Sequence, residues 1–308
     1  MGAIRHIVES QQFDRPFLAE LFRVAEDLRL NGYKESLSRR ILASLFYEPS
    51  TRTRFSFESA MYRLGGSVVT TENAKEFSSF AKGESLEDTI RIISGYADVI
   101  VMRHYEIGAA KRAAEISSVP VLNAGDGAGQ HPTQALLDLY TLHRKFGRLD
   151  NLSVAMVGDL KYGRTVRSLA YLLAKYRQVR LVFVAPAVCR MHEDIKGYLD
   201  RVGVAWKENE NLDEVLPEVD CVYMTRIQKE RFLDTREYLA ANNRYRLTAE
   251  NMDTMRPEAI VMHPLPRVGE IDPSADDNPR AVYFEQARNG LWVRMALILY
   301  VLGKWGQE

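Results

Sequence analysis

The 308-residue sequence predicts an α/β protein: two parallel-sheet α/β domains joined by helices, with a C-terminal helix packing back on the first domain. Three observations lead there. Short apolar runs of strand length alternate with segments of helical period in both halves of the chain, the pattern of βαβ units. Unusual polar residues fall directly after the apolar runs, where parallel sheets bind their ligands. The last long segment, residues 285–304, is apolar nearly all round and so belongs in a core.

At about 150 residues per domain the length fits two domains. An apolar content of 46% with 27% charged residues is ordinary for a globular chain. Lysine plus arginine equals aspartate plus glutamate at 41 each, so no net field draws nucleic acid or an acidic membrane. Any anion site must then be a local cluster. The only cysteines, Cys189 and Cys221, are far apart and belong to no C-x-x-C motif. A disulfide framework and a zinc site are not expected, and a reducing compartment is the default. The N-terminus lacks a signal-peptide apolar region, and His6 stands where a myristoylation motif needs Ser or Thr. The longest apolar stretch, near 291–302, contains Arg294 and is too short to span a bilayer. The expectation is a cytoplasmic protein with no membrane or nucleic-acid partner.

In chain order, residues 17–28 have helical spacing and form a lead-in helix. Residues 41–46 (ILASLF) are a buried strand. Pro49 punctuates, and Ser50 is a good N-cap. Phe57, Ala60, Met61 and Leu64 fall on one helix face, which Gly65 and Gly66 stop. A strand follows at 67–71. Residues 73–85 (NAKEFSSFAKGES) are polar and aperiodic, a loop. Then come a helix at 86–96, a strand at 98–102, a helix at 106–116, a strand at 119–123, the loop AGDGAGQHP and a helix from about 133 to 145. The polar stretch 147–151 reads as a boundary. It gives a first domain at 1–146, joined by the C-terminal helix 285–308, and a second domain at 147–284. The second βα series has strands at 152–157, 180–185, 204–206, 220–224 and 260–262, with helices at 165–175 and 192–202. No short repeat or low-complexity segment occurs.

Chemistry starts at Ser50-Thr51-Arg52-Thr53-Arg54. Arg52 and Arg54 sit at the positive end of a helix dipole, where cations are disfavoured. Thr53 occupies the position where Glu or Gln would complete a capping box. Free N–H groups, hydroxyls and guanidinium groups therefore converge, and a bound phosphate removes the conflict. The alternative is a surface turn with solvated arginines. Arg103 ends an apolar strand and needs a partner, either in a structural ion pair or on a phosphate or carbonyl oxygen. His131 precedes a helix start at Pro132-Thr133-Gln134, which disfavours imidazolium. It is either a structural histidine or a neutral N–H donor that polarises a carbonyl. Gly158-Asp-Leu-Lys-Tyr-Gly163-Arg164-Thr165 nearly matches the G-x-x-x-x-G-K-[ST] nucleotide loop, but Arg replaces the key Lys. That leaves a nucleotide hydrolase as a weak reading and Arg164 as a carboxylate fork. Arg226 and Gln228 share a face after a strand, and with Arg164 they suit a substrate with two carboxylates. A surface ion pair is the alternative for Arg226.

These motifs carry a resemblance. Ser50-Thr-Arg-Thr-Arg54, His131-Pro-Thr-Gln134, Met156-Val-Gly-Asp-Leu-Lys-Tyr-Gly-Arg-Thr165, Tyr223-Met-Thr-Arg-Ile-Gln228 and His263-Pro-Leu-Pro-Arg267 together resemble catalytic chains of the aspartate carbamoyltransferase family, over most of the sequence. The resemblance implies that the first domain binds carbamoyl phosphate and the second binds aspartate. Ser50, Thr51, Arg52 and Thr53 would hold the phosphate. Arg103, His131 and Thr53 would hold the carbonyl oxygen, and Gln134 the amine. Leu265 and Pro266, joined by a cis bond, would line the site. Arg164, Arg226, Gln228 and Lys82 would hold aspartate, with Lys82 also counted among the catalytic residues beside His131, Arg103, Thr53 and Arg52. Ser78 and Lys82 lie in the aperiodic loop, which in the family reaches into a neighbouring subunit's site, so a homotrimer with shared active sites is implied. The family leaves room for a separate regulatory chain. The implied reaction makes N-carbamoyl-L-aspartate, an early step of pyrimidine synthesis, by positioning and oxyanion stabilisation, with no metal or other cofactor and with both domains closing on the substrates. The ornithine carbamoyltransferases are the same-chemistry alternative. They usually have Cys after the last-motif His, where this chain has Pro264, and they need an acidic partner for the distal amine. A non-catalytic scaffold subunit is the alternative from another class.

Overall fold

The computed structural model describes residues 5–77, 82–229, 232, 234–241 and 244–305. The chain forms two units: Met1–Tyr140 with Arg288–Glu308, and Thr141–Ala287. In the first unit Asp14 accepts from the Phe17 N–H at 2.8 Å and so starts α1 (Arg15–Asn31), with Pro16 in its first turn where a missing N–H costs nothing. Strand β1 (Ile41–Phe46) follows, buried along almost its whole length, and leads into α2 (Thr51–Arg63). Strand β2 (Ser67–Glu72) is an exposed edge. Helices α3 (Ala74–Phe77) and α4 (Leu86–Ser94) precede β3 (Val99–His104). Then come α5 (Ala109–Ile116), β4 (Val121–Asp126) and α6 (Pro132–Phe146).

The second unit runs β5 (Ser153–Val157), α7 (Arg164–Leu173), β6 (Arg180–Val184), α8 (Glu193–Val202), β7 (Ala205–Asn209), α9 (Leu212–Val215), β8 (Cys221–Met224), α10 (Thr235–Ala241), α11 (Ala249–Met252) and β9 (Ile260–Met262). The final helix α12 (Tyr283–Val301) begins in the second unit and returns to the first.

Both sheets are wholly parallel. Their strand orders are β2-β1-β3-β4 and β7-β6-β5-β8-β9. In each sheet the chain first moves one way from the starting strand and then crosses to its other side. The order therefore reverses between β1 and β3 in the first unit and between β5 and β8 in the second. At such a reversal the connections after the two strands leave in opposite directions and open a crevice beyond their carboxyl ends. Register places Phe46 beside Arg103 and Val157 beside Met224 at those ends.

The cores beneath are apolar layers of strand residues against helices. Ala43, Ile100 and Met102 meet Leu86, Ile90 and Ala110 in the first unit, and Ala155, Val182 and Val222 meet Val215, Leu216 and Met252 in the second. Phe57, Ala60, Met61 and Leu64 are buried, as the spacing on α2 required.

Several bounds differ from the sequence expectation. Helix α5 begins at Ala109 because Gly108, at φ 82°, adopts a left-handed conformation and gives its N–H to Asp126 Oδ2 at 2.8 Å. The polar stretch read as loop contains α3, where the Asn73 side chain donates to Glu76 at 2.7 Å. Edge strand β7 extends to Asn209 although Lys207 and Glu208 break any apolar pattern, because its backbone pairing with β6 continues to Val184 beside Asn209. The short helices α9, α10 and α11 carry too few turns to show a period.

Phe57→Ala, which empties a fully buried aromatic position, is expected to destabilise the first unit by about 3–5 kcal/mol. A urea titration followed by fluorescence should show the lower midpoint.

Candidate active site

In the first unit the connection after β1 becomes the first turn of α2. The leading N–H groups of a helix have no partner within it. Ser50 holds the N-cap position, yet its side chain caps none of them. This corrects the capping expected from sequence. The reason is that Ser50 Oγ instead accepts from Arg103 Nη1 at 3.3 Å, across the strand reversal. Thr53 is buried, while Thr51 and Arg52 are exposed. Arg54 also departs from expectation: its guanidinium is 3.0 Å from Glu72 and 3.9 Å from Glu58 and stacks over Phe55, so it is taken up in ion pairs. What is left is a helix N-terminus with hydroxyls, one exposed arginine and Arg103 beside it. That combination favours a phosphate-like dianion. Arg103 Nε also lies 3.4 Å from Glu48, so the structural ion pair weighed as an alternative exists alongside the Ser50 contact.

One strand further along, β4 ends in a loop tied to the end of β3. Gly127 N–H donates to His104 O at 2.9 Å, and Gln130 N–H to Asp126 Oδ1 at 2.7 Å. The loop delivers His131 to the start of α6, where its carbonyl accepts from the N–H groups of Gln134 and Ala135. The His131 ring is buried. Thr133 Oγ1 lies 3.4 Å from Nδ1. The tautomer with that hydroxyl donating has the ring proton on Nε2. Gln134, also buried, donates through Nε2 to Asp138 Oδ1 at 2.8 Å.

The second unit repeats the geometry with a different filling. After β5 the chain turns through Gly158, at φ 107°, where a side chain would collide with the Thr225 carbonyl. The glycine loop then wraps its own acid. Asp159, fully buried, accepts from Tyr162 N–H at 2.9 Å and from Gln228 N–H at 3.3 Å. Burial pushes its carboxyl pKa up, and hydrogen bonds from Tyr162, Gln228 and Lys161 only partly oppose that. A nucleotide loop leaves these N–H groups to a phosphate. Here the Tyr162 N–H of the loop is given to the chain's own aspartate, which argues against the nucleotide-hydrolase reading. The same aspartate ties the Arg164 segment to the Arg226–Gln228 segment. Arg164 opens α7, Arg226 and Gln228 follow β8, and all three are partly buried. Arg226 lines a cavity of about 440 Å³ with Thr225, Tyr238, Arg244, Tyr245 and Glu270. Guanidinium forks without a backbone anion nest suit carboxylates.

Beyond β9 the segment 263–270 is clamped from inside. His263 Nδ1 accepts from Leu265 N–H at 2.7 Å, so the proton sits on Nε2, which is 2.7 Å from Glu270 Oε1. Glu270 Oε2 accepts from Val268 and Gly269 N–H. The clamp fixes Leu265, at φ 57°, and the cis Leu265–Pro266 peptide. Arg267 is held by Asp276 and Tyr283, so it braces the segment.

Of the remaining sequence candidates, Lys82 is exposed and Ser78 lies outside the described residues. Sequence reasoning missed Asp159, although an acid directly after a strand inside a glycine loop was a visible signal. It also missed Asp138, four residues after Gln134 and so on the same helix face.

The clamp predicts a pH dependence. Burial raises the Glu270 pKa, but the His263 hydrogen bond and the loop N–H groups more than offset this, leaving it at about 2 against an ordinary 4.5. Its folded value lies below its unfolded one. Its stabilising contribution is therefore complete above about pH 4.5 and lost as pH falls toward about 2. Thermal melts between pH 6 and pH 3 should fall more steeply for the wild type than for Glu270→Gln. Separately, Gly158→Ala should cost about 1–3 kcal/mol from strain at positive φ and collision with Thr225. Calorimetry of the purified variant measures it.

Comparison with known proteins agrees with this geometry. Residues 5–144 match the family model described as aspartate/ornithine carbamoyltransferase, carbamoyl-P binding domain, and residues 150–301 match the Asp/Orn binding domain. Aspartate carbamoyltransferase 1, chloroplastic, of Pisum sativum is 56% identical over 304 residues, covering 97% of this chain and 79% of its own. The catalytic subunit from Methanothrix thermoacetophila is 52% identical over 302 residues, covering 97% and 98%. Among solved structures, aspartate transcarbamoylase from Trypanosoma cruzi in complex with carbamoyl aspartate and phosphate superposes with a TM-score of 0.90 at 42% identity, covering 96% and 95%. The M. jannaschii catalytic subunit gives 0.89 at 47% identity, covering 99% and 100%. With both family models matched and identity above half over nearly all its length, the chain belongs to the aspartate/ornithine carbamoyltransferase family, among its aspartate carbamoyltransferases.

Proposed function

We propose that this chain transfers the carbamoyl group of carbamoyl phosphate to the amino group of L-aspartate, giving N-carbamoyl-L-aspartate and phosphate at an early step of pyrimidine synthesis. The observation that carries the reading is the contrast between the two strand reversals. The first leaves a helix N-terminus without a side-chain cap beside Arg103, and the second fills its loop with Asp159 and adds guanidinium groups. A phosphate fits the former and a dicarboxylate the latter. Trypanosoma cruzi aspartate transcarbamoylase, 40% identical to this chain, has been solved with carbamoyl phosphate and aspartate together.

In this reading Ser50, Thr51, Arg52 and Thr53 hold the phosphate. Arg103, His131 and Thr53 donate to the carbonyl oxygen, Gln134 accepts from the carbamoyl amine, and Leu265 and Pro266 line the site. Arg164, Arg226 and Gln228 hold aspartate. Lys82, and Ser78 outside the described residues, complete the site of a neighbouring subunit. The aspartate nitrogen attacks the carbonyl carbon. Negative charge gathers on the carbonyl oxygen, where the donors are worth most because they are already aligned. The C–O bond to phosphate then breaks, and the proton shed by nitrogen leaves with the phosphate.

Assembly as a homotrimer with shared active sites belongs to the same proposal. The exposed Phe55 and Tyr62 on α2, with Val69 on the exposed edge β2, supply an apolar surface for it. The compartment proposed is the cytoplasm, where the buried thiols Cys189 and Cys221 stay reduced. Among the described residues no helix is long and apolar enough to cross a membrane.

His131→Ala should lower turnover by about 10²-fold or more, with carbamoyl aspartate formation as the assay. A normal rate would remove His131 from the oxyanion role. Arg226→Met should raise the aspartate KM by about tenfold or more and leave that for carbamoyl phosphate unchanged.

A further inference from the structure

We propose that Asp138 and Arg294 are positioning residues that fix which end of the Gln134 amide meets the carbamoyl amine. This rests on the assignment of Gln134 to carbamoyl phosphate made above. Gln134 Nε2 donates to Asp138 Oδ1 at 2.8 Å, one turn further along α6. Asp138 is 0% and Arg294 3% exposed, both within the first unit. An ionised carboxylate only accepts, so it holds the NH2 end of the amide and turns the amide carbonyl away from itself. A carbonyl presented to the ligand accepts from an amine and repels another acceptor. A neutral group at 138 could donate as well as accept, and either end of the amide could then face the ligand.

A carboxylate buried this deeply stays ionised only beside an opposite charge. Arg294 supplies it. Burial draws the Arg294 pKa down to about 10, Asp138 holds it up against that, and Arg52 lowers it further. The guanidinium is thus still charged at neutral pH. Its seat is built to fit. The guanidinium carbon lies 5.1 Å over the Phe57 ring, and a side chain at Gly290 would overlap its Nη1. Helix α12 thereby acts on the ligand amide through two side chains that the mechanism leaves otherwise unused.

The test compares carbamoyl phosphate with acetyl phosphate, which has a methyl group in place of the amine. Asp138→Asn should weaken carbamoyl phosphate binding about tenfold and acetyl phosphate by less than about twofold. In a Gln134→Ala background the same substitution should add less than about twofold for either ligand. Equal weakening of both ligands, no weakening of either, or an effect that persists in the Gln134→Ala background would overturn the relay. Gly290→Ala, which displaces the guanidinium from α12, should change the ratio of the two affinities in the same direction and serves if Asp138→Asn does not fold. Wild-type protein that fails to prefer carbamoyl phosphate over acetyl phosphate would overturn the Gln134 assignment and the relay with it. Wild-type preference retained in Asp138→Asn and in Gly290→Ala would overturn the relay alone.

Discussion

The leading N–H groups of α2 are donors that the helix itself cannot satisfy, and the Ser50 side chain does not cap them because its hydroxyl is committed to Arg103. Most helices close such a turn with an Asp, Ser or Thr side chain. Here the N-cap side chain serves Arg103. Everything else in the first unit supports that choice. Parallel strands bring the ends of β1 and β3 together, Glu48 balances Arg103, and the ion pairs of Arg54 with Glu58 and Glu72 take the second arginine out of the turn. The site is a consequence of backbone geometry first and of side chains second.

The second unit shows what happens when the same geometry is closed. Asp159 accepts from Tyr162 within the glycine loop and from Gln228 beyond β8, so the loop is tied to the chain's own carboxylate. In the proposed reading the guanidinium groups of Arg164 and Arg226 then serve the ligand. One topology, used twice, is proposed to serve two different anions.

Much of this was legible in the sequence. The βα alternation, the buried face of α2 and the position of the polar motifs after strands follow from local period and composition. Sequence also proposed Arg52, Arg103, His131, Gln134, Arg164, Arg226 and Gln228 as chemistry-bearing groups, which the assays above would test. What it could not show was partnership. Whether Ser50 caps or binds Arg103, and whether Arg54 faces an anion or Glu72, depends on contacts between residues distant along the chain. Arg294 is the clearest case. In the sequence it is one charge in an apolar helix, useful only to argue against a bilayer span. In the fold it is buried with its guanidinium over Phe57, and the relay proposed above gives its charge a use. The short helices α9 to α11 were invisible because tertiary packing, and not period, holds them.

The proposed phosphate site at the first turn of α2 is tested most directly by a crystal structure of the protein soaked with carbamoyl phosphate alone. Phosphate density against the first-turn N–H groups of α2, with Arg52 and Arg103 around it, is the predicted result. Phosphate density on the Gly158–Arg164 loop, or a turn of α2 left vacant at saturating ligand, would contradict it.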